Sequence, residues 1–228
     1  MRIATVVTAS VGLLALMGPA AVAAPADASA PAPADRKCEG VKLSGSLPLP
    51  PAGMAVQQQV TIGADCEPVL GEVRYVPAAG QRAEGAKATG SNAAAAGSAA
   101  ATTRTVRSWN EMFDCCNIRM TGLYTNSTWD AANGQVTGAA STARQEWNRE
   151  PWNAGWSLKS SSTQGAATAS YAAHADFTYK GIFDLSGNTY ANSHHSYVKL
   201  NGDGTSTCTF DVELKSTFIG WNWQRGCA

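Results

Sequence analysis

The chain is poor in charged residues and in histidine. Asp, Glu, Lys and Arg make up 15% of its 228 residues, acidic and basic side chains balance at 17 each, and there are three histidines. Binding to nucleic acid or to an anionic membrane surface depends on clustered Lys and Arg. We therefore expect no nucleic-acid partner.

Several motifs that would fix a chemistry are missing. The sequence contains no Cys-x-x-Cys pair, no histidine at zinc-finger spacing from a cysteine, and no Gly-x-Ser-x-Gly nucleophile turn. The zinc-finger class and the α/β-hydrolase class are thereby disfavoured. We expect no cofactor.

One long apolar run is present, and it lies near the beginning of the chain. Arg2 precedes the run from Ile3 to Met17, which is followed by the small residues Ala21, Val22 and Ala23. This order is typical of a secretory signal peptide, and the run is too short for a comfortable membrane span. We predict a signal peptide over 1–23, a secreted extracellular product, and no membrane span in the mature chain.

The cysteines form an even set, as expected for an exported protein with disulfides. Cys116 is in strand phase with Ile118 and Met120, and Cys208 is in phase with Phe210, so both are expected to face the core. A vicinal bond between Cys115 and Cys116 is the alternative for that pair. The preferred pairs are Cys38–Cys66, Cys116–Cys208 and Cys115–Cys227.

Composition divides the rest of the chain into four segments. Residues 24–37 are rich in Ala and Pro and are predicted to form a disordered leader. Residues 38–77 form a small β segment closed by a disulfide, which is near the size that needs staples or a partner. Residues 78–103 are an Ala- and Gly-rich linker, and residues 104–228 are the main β domain.

A hydrophobic period of two dominates the main domain. From Ala167 to Tyr179 apolar residues alternate with mostly polar ones, and Cys208 to Leu214 repeats the pattern. The predicted strands include 105–108, 189–200 and 206–215. The pair Asn133 and Gly134 is a hairpin turn signal, because both residues tolerate positive φ. The predicted fold is all-β, an antiparallel β-sandwich or barrel of about eight to nine strands, stapled by disulfides.

Histidines and a carboxylate lie on two of the predicted strands. If those strands are neighbours, His174, Asp176, His194 and His195 would converge and could ligate zinc or copper. The alternative is that His174 and Asp176 simply occupy the solvent face of their strand. No ligand pair has diagnostic spacing. We therefore predict no metal and keep these four residues as the candidates.

Tryptophan is the remaining functional signal. All seven tryptophans follow residue 108, and Trp152 lies between Pro151 and Asn153 in a predicted turn. Exposed indoles stack on sugar rings and anchor interfaces, whereas most tryptophans on strands pack in the core. We take Trp152, Asn153 and Trp156 as the ligand contacts, with core packing as the alternative.

These observations favour a secreted, non-catalytic binding or structural module. Its partner would be a polysaccharide or a protein outside the cell, reached through exposed aromatic residues. Two alternatives stay open. One is an extracellular hydrolase that uses the histidine and carboxylate groups on the sheet, and the other is a secreted protease inhibitor.

Overall fold

The computed structural model describes residues 37–78, 102–149, 155–180 and 189–228. They belong to one compact unit, Pro31–Ala228, and the second unit, Met1–Ala30, lies outside the described residues. The predicted signal peptide, residues 24–36 of the leader, and residues 79–101 of the linker also fall outside. So do Trp152 and Asn153.

The described residues form strands and no helix, which confirms the all-β prediction. No helix in the described ranges has the length and apolarity that a membrane crossing requires. In chain order the strands are β1 (Lys37–Cys38), β2 (Val41–Ser46), β3 (Met54–Ile62), β4 (Pro68–Pro77), β5 (Thr102–Phe113), β6 (Arg119–Ala132), β7 (Gln135–Trp147), β8 (Ser157–Gln164), β9 (Ser170–Lys180), β10 (Thr189–Leu200), β11 (Ser206–Lys215), β12 (Thr217–Phe218) and β13 (Asn222–Cys227).

Two open antiparallel sheets carry the fold. The five-stranded sheet has the order β2-β11-β10-β9-β8, and the six-stranded sheet has the order β4-β3-β13-β5-β6-β7. The sheets face each other, with β10 across from β5 and β6, and β9 across from β6 and β7. Because neither sheet closes on itself, the architecture is a sandwich and not a barrel.

The strands of segment 38–77 are distributed over both sheets. β2 pairs with β11 at one edge of the five-stranded sheet, whereas β3 and β4 extend the six-stranded sheet beyond β13. β1 pairs with β12 in a separate two-stranded ribbon. The small segment therefore shares its hydrogen bonds and its core with the main domain.

Alternation along β9, β10 and β11 places apolar residues between the sheets. Tyr171 and Phe177 of β9 are buried, and the intervening His174 and Asp176 are half-buried on the outer face. Strand residues that are two apart share a face, so this burial follows directly from the pattern of the sequence. The turn between β6 and β7 is also as predicted, with φ of 50° at Asn133 and 73° at Gly134.

The disulfides agree with one predicted pair and correct the other two. Cys38 pairs with Cys66 as predicted. The predictions Cys116–Cys208 and Cys115–Cys227 are wrong, because the structure joins Cys208 to Cys227 instead. Cys227 lies on β13 with its side chain buried and faces Cys208 across the interior, so this bond connects the two sheets.

A turn explains the error at Cys115 and Cys116. Asp114 Oδ1 accepts hydrogen bonds from the backbone N–H groups of Cys116 and Ile118, at 2.9 and 2.8 Å, so β6 begins only at Arg119. The strand phase that would turn Cys116 inward does not apply within this turn. Both thiols are exposed and free, with their Sγ atoms 3.6 Å apart.

The interior also contains a polar network that joins the two sheets. His194 on β10 is fully buried; its Nε2 accepts from the Thr121 hydroxyl at 2.8 Å, and its Nδ1 donates to Asn110 Oδ1 at 3.1 Å. Asn192 Nδ2 donates to Thr121 Oγ1 at 3.0 Å, and the indole N–H of Trp223 donates to Asn110 Oδ1. These bonds give every ring nitrogen of the neutral imidazole a partner. We call this set of five residues the His194 network.

The inter-sheet disulfide yields a stability prediction. Replacing both Cys208 and Cys227 by Ala removes a crosslink over 19 positions of sequence, so the free energy of unfolding should fall by about 3 kcal/mol in the chain-entropy description. Urea unfolding of the oxidised protein measures the change. The control, Cys115→Ser with Cys116→Ser, should leave the free energy unchanged, and a loss there with none in the first variant would contradict the pairing.

The His194 network yields a pH prediction. Burial, with a smaller contribution from His195, lowers the pKa of His194 to about 3, whereas the pKa of a histidine in the unfolded chain is about 6.5. Between these values the unfolded chain binds a proton that the folded chain rejects, so stability should decrease as pH falls from about 6.5 to 4.5. The slope for one proton approaches about 1.4 kcal/mol per pH unit.

Urea unfolding at several pH values tests this slope. In His194→Gln the amide still donates and accepts hydrogen bonds but does not titrate. The pH dependence of the free energy of unfolding should therefore decrease by the contribution of about one proton, and the variant should be less stable than the parent at pH 7. His195, whose pKa burial also lowers, contributes with the same sign, and His195→Gln is the matched control. A full slope retained in His194→Gln would show that His194 is not the group excluded from protonation.

Candidate functional site

A single row of residues crosses the outer face of the six-stranded sheet. Strand register places these residues side by side, one from each strand. From β4 to β7 the row consists of Arg74, Gln57, Gly226, Trp109, Tyr124 and Arg144. Aromatic, amide and guanidinium groups therefore follow one another across the sheet.

Glycines beneath the two rings make this row possible. A Cβ added to Gly226 would lie 1.8 Å from Cζ2 of Trp109, so the indole occupies the space above that glycine. A Cβ at Gly122 would meet the Tyr124 ring at 3.0 Å. Both rings consequently rest against the backbone, and each is half-buried with part of its surface open to solvent.

The rings line a groove of about 600 Å³, which we call the Trp109 groove. Among the described residues that line it there is no Asp or Glu side chain. A polar recess of about 220 Å³ shares Gln57 and Trp109 with it and adds Gln59, Glu72, Arg74 and Gln224. The polar side chains of the Trp109 groove include Gln57, Arg107, Asn126, Thr142 and Arg144.

Ion pairs and hydrogen bonds fix Tyr124 within the groove. Its phenol donates a short hydrogen bond to Glu111 and accepts one from Arg119 Nη1 at 2.6 Å. The Arg144 guanidinium lies 4.7 Å from the centre of the Tyr124 ring and forms an ion pair with Glu146. Burial and the Glu111 carboxylate both raise the pKa of Tyr124, so its phenol stays protonated at physiological pH.

The predicted contact residue Trp156 lies in a different environment. It is 3% exposed and stacks on Tyr179, with ring centroids 5.5 Å apart, so its ring packs in the core. Trp152 and Asn153 lie outside the described residues. The structure thus places Trp156 in the core and not in the Trp109 groove.

Sequence reasoning missed Trp109 because its strand has no clear alternation. The inward neighbours of Trp109 are Ser108 and Asn110, both polar and both buried. Without apolar residues at those positions the period-two pattern disappears, and the predicted strand ended at residue 108. The row of polar and aromatic residues becomes visible only when β3, β13, β5 and β6 are aligned in register.

The predicted histidine cluster forms in part, on the outer face of the five-stranded sheet. His174 and His195 are directly paired between β9 and β10, with Nδ1 atoms 3.2 Å apart. His174 Nε2 lies 3.0 Å from Asp176 Oδ2. His194 points the opposite way into the His194 network, so it does not join them.

Hydrogen bonds determine what this cluster is able to do. Ser160 and Ser193 each donate to the Asp176 carboxylate at 2.6 Å. Burial opposes ionisation of Asp176, but the bonds from Ser160, Ser193 and His174 outweigh it and hold the pKa at about 2. Because both serines donate to the carboxylate and neither contacts an imidazole in these bonds, the cluster lacks the nucleophile–base contact of a serine hydrolase. Within the described parts of the chain, no group of three or more His, Cys, Asp or Glu side chains is arranged to hold a metal ion.

Fold and site together define an antiparallel β-sandwich with an aromatic and arginine-containing groove on one sheet and a histidine cluster on the other. The chain matches no protein-family model, no curated protein and no solved structure.

Proposed function

We propose that this protein is a secreted, non-catalytic carbohydrate-binding module that holds a polysaccharide in the Trp109 groove. The observation that carries the proposal is the half-buried indole of Trp109, seated over Gly226 in a row with Gln57 and Arg144. Its partner would be a polymer of a cell surface or of the extracellular surroundings. The proposed aromatic contact is therefore Trp109, in place of Trp152 and Trp156, which the sequence predicted.

The chemistry of the groove suits a sugar chain. An indole surface packs on the apolar face of a pyranose ring, while amides and guanidinium groups hydrogen-bond to hydroxyls around the ring edge. Gln57 and Asn126 supply amides on either side of Trp109, and Arg107 supplies a guanidinium. The row crosses six strands spaced about 4.8 Å apart, so it extends over about 24 Å. Such a length accommodates several consecutive sugar units.

The groove is built on rigid elements. Trp109 and Tyr124 lie within paired strands, and Tyr124 is fixed by Glu111 and Arg119. A contact surface that is already ordered before binding loses little conformational entropy when a ligand arrives. Because this entropy cost is small, a shallow site with few contacts is able to bind a ligand with measurable affinity.

The charge of the groove favours an acidic polymer. Arg107 and Arg144 line it, and its described lining residues include no Asp or Glu side chain. Arg144 is already paired with Glu146, so Arg107 is the guanidinium better placed for a new anionic partner. Guanidinium groups bind carboxylates and phosphates in two-point contacts, so uronic-acid or phosphate-containing polysaccharides are the expected class.

Export of the protein is supported by two features. The order of residues in 1–23 is that of a signal peptide, and Cys38–Cys66 and Cys208–Cys227 are disulfides of the kind that persist in oxidising compartments. A polysaccharide partner fits that location.

Retention on insoluble polymers tests the proposal. The oxidised protein is mixed with chitin, cellulose, peptidoglycan and a crosslinked polyuronate, and the bound fraction is measured over a range of protein concentrations. Trp109→Ala should weaken retention by about tenfold or more, as for an anchor residue. Tyr197→Ala removes an exposed aromatic from the other sheet and should bind like the parent. Equal retention of the parent and Trp109→Ala, or no retention on any polymer, would overturn the proposal.

The charge preference has its own variant. Arg107→Ala should reduce retention on the acidic polymers and leave retention on neutral ones unchanged, and added salt should weaken the parent only on the acidic polymers. Circular dichroism confirms that the exposed substitution leaves the fold intact. An equal loss on neutral and acidic polymers would contradict the role given to Arg107.

A further inference from the structure

The outer face of the five-stranded sheet places two imidazoles at the spacing of metal ligands. His174 and His195 are register partners on β9 and β10, and their Nδ1 atoms are 3.2 Å apart. Two nitrogens bound at about 2.0–2.1 Å to a tetrahedral ion lie about 3.3–3.4 Å from each other. The observed distance between the two Nδ1 atoms is thus close to the distance between two ligand nitrogens of a tetrahedral ion.

His174 is already oriented as a ligand. Its Nε2–H donates to Asp176 Oδ2 at 3.0 Å, which leaves the lone pair of Nδ1 directed at His195. Asp176 is held in turn by Ser160 and Ser193. A carboxylate that accepts from the distal N–H of a histidine is the usual second layer of a metal site, since it fixes the tautomer and orients the ring.

Metal binding by His195 requires a shift of its own proton and a small rotation of the rings toward the ion. In the structure described here its Nδ1–H is the donor in the contact with His174, because the His174 Nδ1 is the acceptor. The proton moves to Nε2 when His195 takes its other neutral tautomer, and Nδ1 then offers a second lone pair beside the first. The ring is parallel to that of Tyr197, with centroids 6.2 Å apart, so one of its sides is supported.

Negative charge flanks the imidazole pair. Asp176 lies next to His174, and Asp211 is the register partner of His195 on β11. Both carboxylates favour a cation between or beside the two rings. All four residues are half-buried on the outer face, so a hydrated ion has access from solvent.

We propose that His174 and His195 bind one divalent transition-metal ion through their Nδ1 atoms, with solvent completing the coordination. Because the protein supplies two ligands, the affinity is moderate, and Cu²⁺ binds more tightly than Zn²⁺. The site lies on the sheet opposite the Trp109 groove and does not depend on carbohydrate binding.

Titration with the metal ions themselves tests the site. Calorimetry with Zn²⁺ and electron paramagnetic resonance with Cu²⁺ are run on the full protein in a Cys115→Ser, Cys116→Ser background, which removes the exposed thiols as competing ligands. We expect one equivalent of metal and a copper spectrum with hyperfine structure from two imidazole nitrogens. The chain contains three histidines, and His194 is buried with both ring nitrogens engaged, so the two outer histidines account for such a signal.

The variants separate ligand from orienting roles. His174→Ala with His195→Ala should abolish the imidazole signal and weaken Zn²⁺ binding at least tenfold, and Asp176→Asn should weaken it by about tenfold while keeping the two-nitrogen spectrum. Tyr197→Phe is the control and should bind like the parent. Thermal unfolding without metal verifies that each variant is folded. Metal affinity equal to the parent in the double-histidine variant, or no binding by the parent at millimolar metal, would overturn the proposal.

Discussion

The His194 network determines how the two sheets present their outer faces. Asn110 and His194 must point inward to complete it, and Trp223 must point inward to reach Asn110. Since side chains alternate along a strand, Trp109, His195 and Gly226 are then directed outward. A shift of one residue in any of these strands would leave buried polar groups without partners, at a cost of several kcal/mol. One interior network thereby positions both the Trp109 groove and the histidine cluster.

The two outer faces are chemically different because the outward-facing residues of the two sheets, which occupy alternate positions along each strand, are of different types. On the six-stranded sheet the outward row combines Trp109 and Tyr124 with glycines that let the rings lie against the backbone. On the five-stranded sheet the outward row combines His174 and His195 with carboxylates and hydroxyls. The proposed sugar ligand would lie on the first face and the proposed metal ion on the second. The two proposed sites are therefore on opposite sides of the sandwich.

The predictability of each element follows from the character of its inward residues. The sequence predicts strands over 189–200 and 206–215, the bounds that the structure gives for β10 and β11, because apolar residues alternate through β11 and turn residues bound both strands. The strand predicted over 105–108 is shorter than β5 because Asn110 is a polar inward residue whose partners come from distant strands. The Cys208–Cys227 bond was missed for a related reason: sequence gives the phase of Cys208 but not which strand faces it. Gly226 lies beneath Trp109 only because of the register between strands that are distant in sequence. The sequence around such a residue does not predict its role.

Fluorine NMR of protein labelled with 5-fluorotryptophan tests whether Trp109 is a solvent-facing tryptophan at the ligand surface. Trp109→Phe assigns its resonance, and soluble fragments of chitin, cellulose, peptidoglycan and polyuronate are then added. We expect a solvent isotope shift for Trp109, and a change in its resonance on binding while the resonances of Trp129, Trp156 and Trp223 stay fixed. A Trp109 resonance without an isotope shift, or one that stays fixed while a buried tryptophan responds, would contradict it.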